Sequence, residues 1–134
     1  MNRKTLTSEK LFYRLINNKT ESTYWPNLRE LRSRVNSEVF EKSYQLAQSS
    51  KPSERRIGVD VLAQFGIGEP RPYYKETIAL YWRLLETETE PSVITSLIYG
   101  IGWNNQDMKG EGISALAKFK NHRSTNSWFD TKRN

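Results

Sequence analysis

Ser53–Gly66, SERRIGVDVLAQFG, and Pro91–Gly102, PSVITSLIYGIG, are the two stretches whose reading decides the fold. Each follows a leucine-ended segment and a short polar loop. At 100° per residue, Ile57, Gly58, Val61, Leu62 and Phe65 fall within about 140° of arc, the pattern of a helix with one apolar face. Arg56, Asp60 and Gln64 lie on the opposite arc. Val93, Ile94, Leu97, Ile98 and Ile101 give the second stretch a matching face.

The flanking segments carry the same period. Ser8–Asn17 reads as a helix capped by Ser8, with Leu11, Phe12 and Leu15 inward. Trp25–Val35 follows, with Pro26 in its first turn and Leu28, Leu31 and Val35 as its stripe. A third helix runs from Asn36-Ser37 to about Gln48, turning Val39, Phe40, Tyr44 and Ala47 inward. Ser49–Pro52 is a loop, because proline disfavours helix in the residue before it. Gly66–Pro72, GIGEPRP, ends the first key helix. Tyr73–Glu86 has the widest apolar face, which predicts neighbours on several sides and a central position. Glu86–Glu90, ETETE, reads as a solvated loop, and Ile113, Leu116 and Phe119 mark a further helix to about Lys120. No stretch alternates as a strand would, so the expected class is all-α, built from antiparallel helix pairs.

Pro52-Ser53 superposes on Pro91-Ser92 at an offset of 39 residues, which also matches Leu46 with Leu85 and Leu62 with Ile101. A helix-pair period near 40 is the mark of an α-solenoid. The leucine, the loop, Pro-Ser and then RRIGVDVLAQFG resemble the second helix of a HEAT repeat, of the lyase-associated bacterial type. The resemblance implies one HEAT-like domain over residues 1–134. Its parts are a degenerate repeat at 8–35, repeats at 37–66 and 73–103, and a partial repeat at 110–134. An irregular helical bundle is the alternative. After Phe119–Asn126 the repeat calls for an apolar second helix, but the chain reads SWFDTKRN. The expectation is an unfinished last repeat whose exposed apolar end, at Ile113, Leu116 and Phe119, is available for self-association.

The 134 residues suffice for one core, and sixteen aromatics, counting four Trp, seven Tyr and five Phe, argue against disorder. The chain has no cysteine, so neither disulfides nor Cys-based zinc sites arise. No apolar run is long enough to span a bilayer, and the first residues lack the apolar core of a signal peptide, so a cytoplasmic protein is expected. The net charge of +6 is unevenly spread: residues 1–52 hold ten Lys or Arg against five Asp or Glu, residues 53–104 five against seven, and residues 105–134 six against three. Basic chains are drawn to nucleic acid or acidic protein, but the acidic middle breaks any continuous basic stripe.

Candidate chemistry is sparse. His122, the single histidine, reads as a loop residue with no nucleophile or orienting carboxylate assigned to it. Glu86, Glu88 and Glu90 alternate in a loop and read as mutually repelling solvated charges rather than a metal site. Gly66-Ile67-Gly68 and Gly100-Ile101-Gly102 neither follow a strand nor reach a third glycine, so they read as a helix stop and as close packing. The expectation is no catalytic residue, no metal and no cofactor.

In HEAT-like stacks the second helices line a concave face, and the resemblance implies such a face here. Its residues are Arg29 and Ser33, then Arg56, Asp60 and Gln64, then their 39-residue counterparts Thr95, Tyr99 and Trp103. Aromatics flanked by arginine are common in protein-binding hot spots. Arg29, Arg56, Asp60, Gln64, Tyr99 and Trp103 are therefore the expected contacts to a protein partner. Small bacterial solenoids of this appearance serve as immunity or antitoxin-like proteins, which gives the specific form of that expectation. The alternative is nucleic-acid binding through Arg29, Arg56 and the basic N-terminal third, as in the similarly folded DNA glycosylases. Asp60 and Trp103 would be cast in their catalytic roles, but no motif carries them over.

Overall fold

A computed structural model describes residues 2–66 and 72–104, Trp103 and Asn104 by backbone alone. Among the described residues all regular structure is helical. A 3-10 turn at Arg3–Thr5 leads into α1 (Ser8–Ile16), α2 (Glu21–Arg32), α3 (Ser37–Leu46), α4 (Pro52–Ala63), α5 (Tyr74–Thr87) and α6 (Pro91–Asn104). Ile113, Leu116, Phe119 and His122 lie outside the described residues, as does the expected partial repeat.

Local chemistry sets the helix bounds. Thr7, not Ser8, caps α1: its hydroxyl accepts the Lys10 N–H at 3.0 Å. Ser8 is buried instead and accepts a 3.2 Å hydrogen bond from Arg34. Asn36 caps α3 by accepting the Val39 N–H at 2.9 Å. Pro52 and Pro91 are the first residues of α4 and α6, where a missing N–H has no intrahelical partner to lose. Gly66, at φ 64°, adopts the left-handed conformation that turns the chain after α4.

α2 begins a turn earlier than expected, so Pro26 lies inside it. Side chains hold that extra turn. The Thr23 hydroxyl donates to Asn18 Oδ1, and Thr20 Oγ1 lies 3.1 Å from Ser22 Oγ and 3.0 Å from Thr23 Oγ1. Proline alone marks an admissible start, but this hydroxyl cluster decides the actual one. The helix also stops at Arg32, so Val35 leaves the predicted stripe and is 48% exposed.

The core gathers around α4, in which every residue from Ile57 to Ala63 is buried. Its neighbours are α1, α2, α3 and α6, whereas α5 packs chiefly against α6. This corrects the expectation that residues 73–86 would be central. Two features give α4 that place. A Cβ on Gly58 would collide with Ser43 O and Ala47 N, so α3 meets α4 backbone to backbone. On another side the fully buried Tyr81 of α5 donates its hydroxyl to Val59 O at 2.6 Å. Leu28, Leu31, Leu97 and Ile101 fill the flanks with no exposed surface. Each such side chain contributes about 1.5–3 kcal/mol through burial.

The ETETE segment is a second correction. α5 continues through Thr87, and Glu88 is buried with its two carboxylate oxygens 2.7 and 2.8 Å from Arg55 Nε and Nη2. It also accepts the N–H groups of Thr89 and Glu90 at 3.2 and 3.1 Å. Burial opposes ionisation of Glu88, but the Arg55 guanidinium and the two backbone donors outweigh it and hold the carboxyl below its ordinary value. The charge pattern reads as repulsion in solvent because Arg55, 33 positions away, is not visible as its partner.

Candidate functional site

α2, α4 and α6 are second helices in the sequence reading, and α4 packs against both of the others. One side of the three forms a cleft of about 970 Å³. Trp25, Arg29, Arg32 and Ser33 line it from α2 and its end, with Val35 just beyond. Arg56, Asp60 and Gln64 line it from α4 and its end, and Ser92, Thr95, Ser96 and Tyr99 from α6. Spacings of three and four put such residues on one helix face, so each helix supplies a single row.

The structure thus brings together Arg29, Arg56, Asp60, Gln64 and Tyr99, along with Ser33 and Thr95. Trp103 is in α6, but its side chain lies outside the described residues. Sequence reasoning missed Trp25, Arg32, Val35, Ser92 and Ser96 as members. Arg32 had a signal, since it stands one turn after Arg29. Trp25 was read as the residue at a helix start, and that misplaced start hid its position within α2.

Asp60 departs most from expectation. It lies on the arc away from the apolar residues, yet it is only 5% exposed. Its Oδ2 accepts the Tyr24 hydroxyl at 2.6 Å and lies 3.4 Å from Arg56 Nε, and the Ser96 side chain also hydrogen-bonds it. Its backbone carbonyl accepts Arg32 Nε at 2.8 Å. Asp60 is therefore the floor of the cleft and joins α2, α4 and α6. Burial pushes its carboxyl above the ordinary value, against the pull of the Tyr24 and Ser96 hydrogen bonds and of the two arginines. Burial, reinforced by the carboxylate beside it, drives the Tyr24 hydroxyl far above its ordinary range.

The arginines differ in how they are satisfied. Arg56 lies 2.9 Å from Glu21 Oε1 and its guanidinium sits 4.2 Å above the Tyr24 ring. Burial works against its charge, but Glu21, Tyr24 and Asp60 outweigh that and raise it. The hydrogen bond from Arg56 holds Glu21 below its ordinary value. Arg32 stacks over Trp25 at 5.7 Å and uses Nε on the Asp60 carbonyl. Burial lowers its pKa despite the nearby Asp60 charge. Among the described residues, no acceptor meets its terminal nitrogens, and Arg29 has neither an ion pair nor a hydrogen bond through its side chain.

The arrangement can hold an anion and a flat or apolar group side by side. Among the described residues no group of His, Cys, Asp and Glu could hold a metal ion, and no helix is long and apolar enough to cross a membrane. No family model, curated protein or solved structure matches the chain.

Proposed function

We propose that the chain is a short HEAT-like stack of antiparallel helix pairs that acts, without catalysis, as a protein-interaction module. The three-helix cleft is its binding face. In its specific form the protein is a cytoplasmic bacterial immunity or antitoxin-like factor that occludes its partner. The observation that carries this reading is the meeting of Arg29, the α4 row and two of its 39-residue counterparts, Thr95 and Tyr99, in one cleft. A repeat used to build a surface has that consequence. Tyr99, 57% exposed beside the arginines, has the character of a hot-spot residue.

The test is affinity capture from lysate of the source organism with the full chain and its Tyr99→Ala variant, each with and without nuclease. The expected result is one discrete protein, retained in near equal amount after nuclease and lost from the variant, whose fold is checked by its cooperative thermal unfolding. Capture that is indifferent to Tyr99 would remove the cleft from the interaction. The convergence of Arg29, Arg32 and Arg56 also supports a second reading, nucleic-acid binding. Retention that disappears with nuclease would favour it.

A further inference from the structure

We infer that the cleft recognises an acidic segment of a partner protein, with a carboxylate received by Arg29 and Arg32 and a neighbouring apolar side chain on Trp25, Val35 or Tyr99. This inference rests on the cleft being a protein-binding face. Arg32 carries most of the argument. Its guanidinium is fixed by the 2.8 Å bond from Nε to the Asp60 carbonyl and by the Trp25 ring, so its direction is set before any ligand arrives. Its terminal nitrogens find no acceptor among the described residues. The Asp60 carboxylate, on the residue whose carbonyl holds Arg32, already serves Tyr24, Arg56 and Ser96. A half-buried cation that meets no anion among the described residues is costly to hold, and an incoming carboxylate relieves that cost. Because the fork is held in advance, less ordering entropy is lost on binding. Arg29, exposed and one turn away on the same helix, supplies the second cation at the mouth.

Charge complementarity selects the occupant. Residues 105–134 of the chain hold six basic against three acidic side chains, and the whole chain carries +6, so neither its own C-terminal segment nor a second copy suits a cationic cleft. A nucleic-acid backbone is disfavoured by geometry. The arginines form a spot inside a concavity rather than a stripe, and beside them Glu21, 66% exposed, occupies Arg56. Arginine matches carboxylate with a planar, two-pronged fork. The exposed Val35 and Tyr99 add the apolar component that distinguishes a protein segment from a phosphate chain.

The experiment is selection of a random peptide library on the full-length chain, followed by anisotropy measurements on the selected peptides. The expected peptides are enriched in Asp and Glu next to an apolar residue. Replacing their acidic residues by Gln or Asn should weaken binding about tenfold, as should Arg29→Ala, whose side chain holds nothing among the described residues. Arg32→Lys keeps the charge but loses the fork, and it should weaken the same peptides while leaving the weakened Gln and Asn versions unaffected. Peptides with no acidic enrichment, or Gln and Asn versions that bind as tightly, overturn the inference. If such peptides still depend on Tyr99, the interaction module stands and only the acidic recognition falls. A labelled oligonucleotide that binds more tightly than any peptide and is weakened by Arg29→Ala overturns both. An empty selection also overturns the inference; capture of a native protein that depends on Tyr99 would then leave the module reading intact.

Discussion

At Asp60 burial and hydrogen bonding pull in opposite directions, and burial prevails. The folded-state carboxyl ionises above the ordinary 3.8, so the folded chain holds that proton more tightly than the unfolded one. The stability tied to Asp60 is therefore complete below 3.8 and is lost as pH rises through the folded value. Asp60→Asn removes the charge but keeps an acceptor for Tyr24. Urea unfolding across that range should show the wild-type decline missing from the Asn variant, with stability at neutral pH no lower than the parent's. Asp60→Ala, by contrast, strands the Tyr24 and Ser96 hydroxyls and should cost about 2–3 kcal/mol. An Asn variant as damaged as the Ala variant would mean that the charge, and not the acceptor, holds the three helices.

Among the elements, α3 and α4 depend on a missing side chain. Ser43 O and Ala47 N occupy the place a Cβ on Gly58 would take, and both belong to backbone that cannot rotate aside. Gly58→Ala should destabilise by about 2–3 kcal/mol, because α3 must shift as a unit. Gly102 is the contrasting case, since a Cβ there meets nothing within 4 Å among the described residues. Gly102→Ala should stabilise α6 by about 0.5–1 kcal/mol through helix propensity alone. Chemical denaturation of the two variants checks both signs. The helices themselves were legible from apolar spacing, and their ends less so. The start of α2 was misplaced because Pro26 is a local signal, whereas the turn before it is held by a cluster reaching back to Asn18.

For the molecule as a whole, the Arg55–Glu88 pair ties the start of α4 to the loop that feeds α6. The pH sign here is the reverse of that at Asp60. Glu88 is held below its ordinary 4.5, so its contribution is present above 4.5 and is lost as pH falls through the folded value. Glu88→Gln should cost about 2–3 kcal/mol at neutral pH, since it leaves a half-buried guanidinium facing a neutral group. The deficit relative to the parent should shrink on acidification, which urea titrations at several pH values would read. A deficit that is constant with pH would mean that the carboxylate matters for its shape rather than its charge.

The sequence by itself determined the all-helical class, the apolar faces, and the rows that carry Arg29, Arg56, Asp60, Gln64 and Tyr99. The reason is geometric: the helical period sets where each side chain stands around its own axis. It does not set what stands opposite. Only the tertiary structure decided that Asp60 is buried, that Glu88 has a partner, and that Arg32 is oriented by the Asp60 carbonyl and the Trp25 ring. Each of those facts depends on a group 28 to 36 positions away, Tyr24 for Asp60, Arg55 for Glu88 and Asp60 for Arg32. No local period reaches so far. The central place of α4 has the same origin, because Asp60 on its polar arc is interior only where α2 and α6 pack against it.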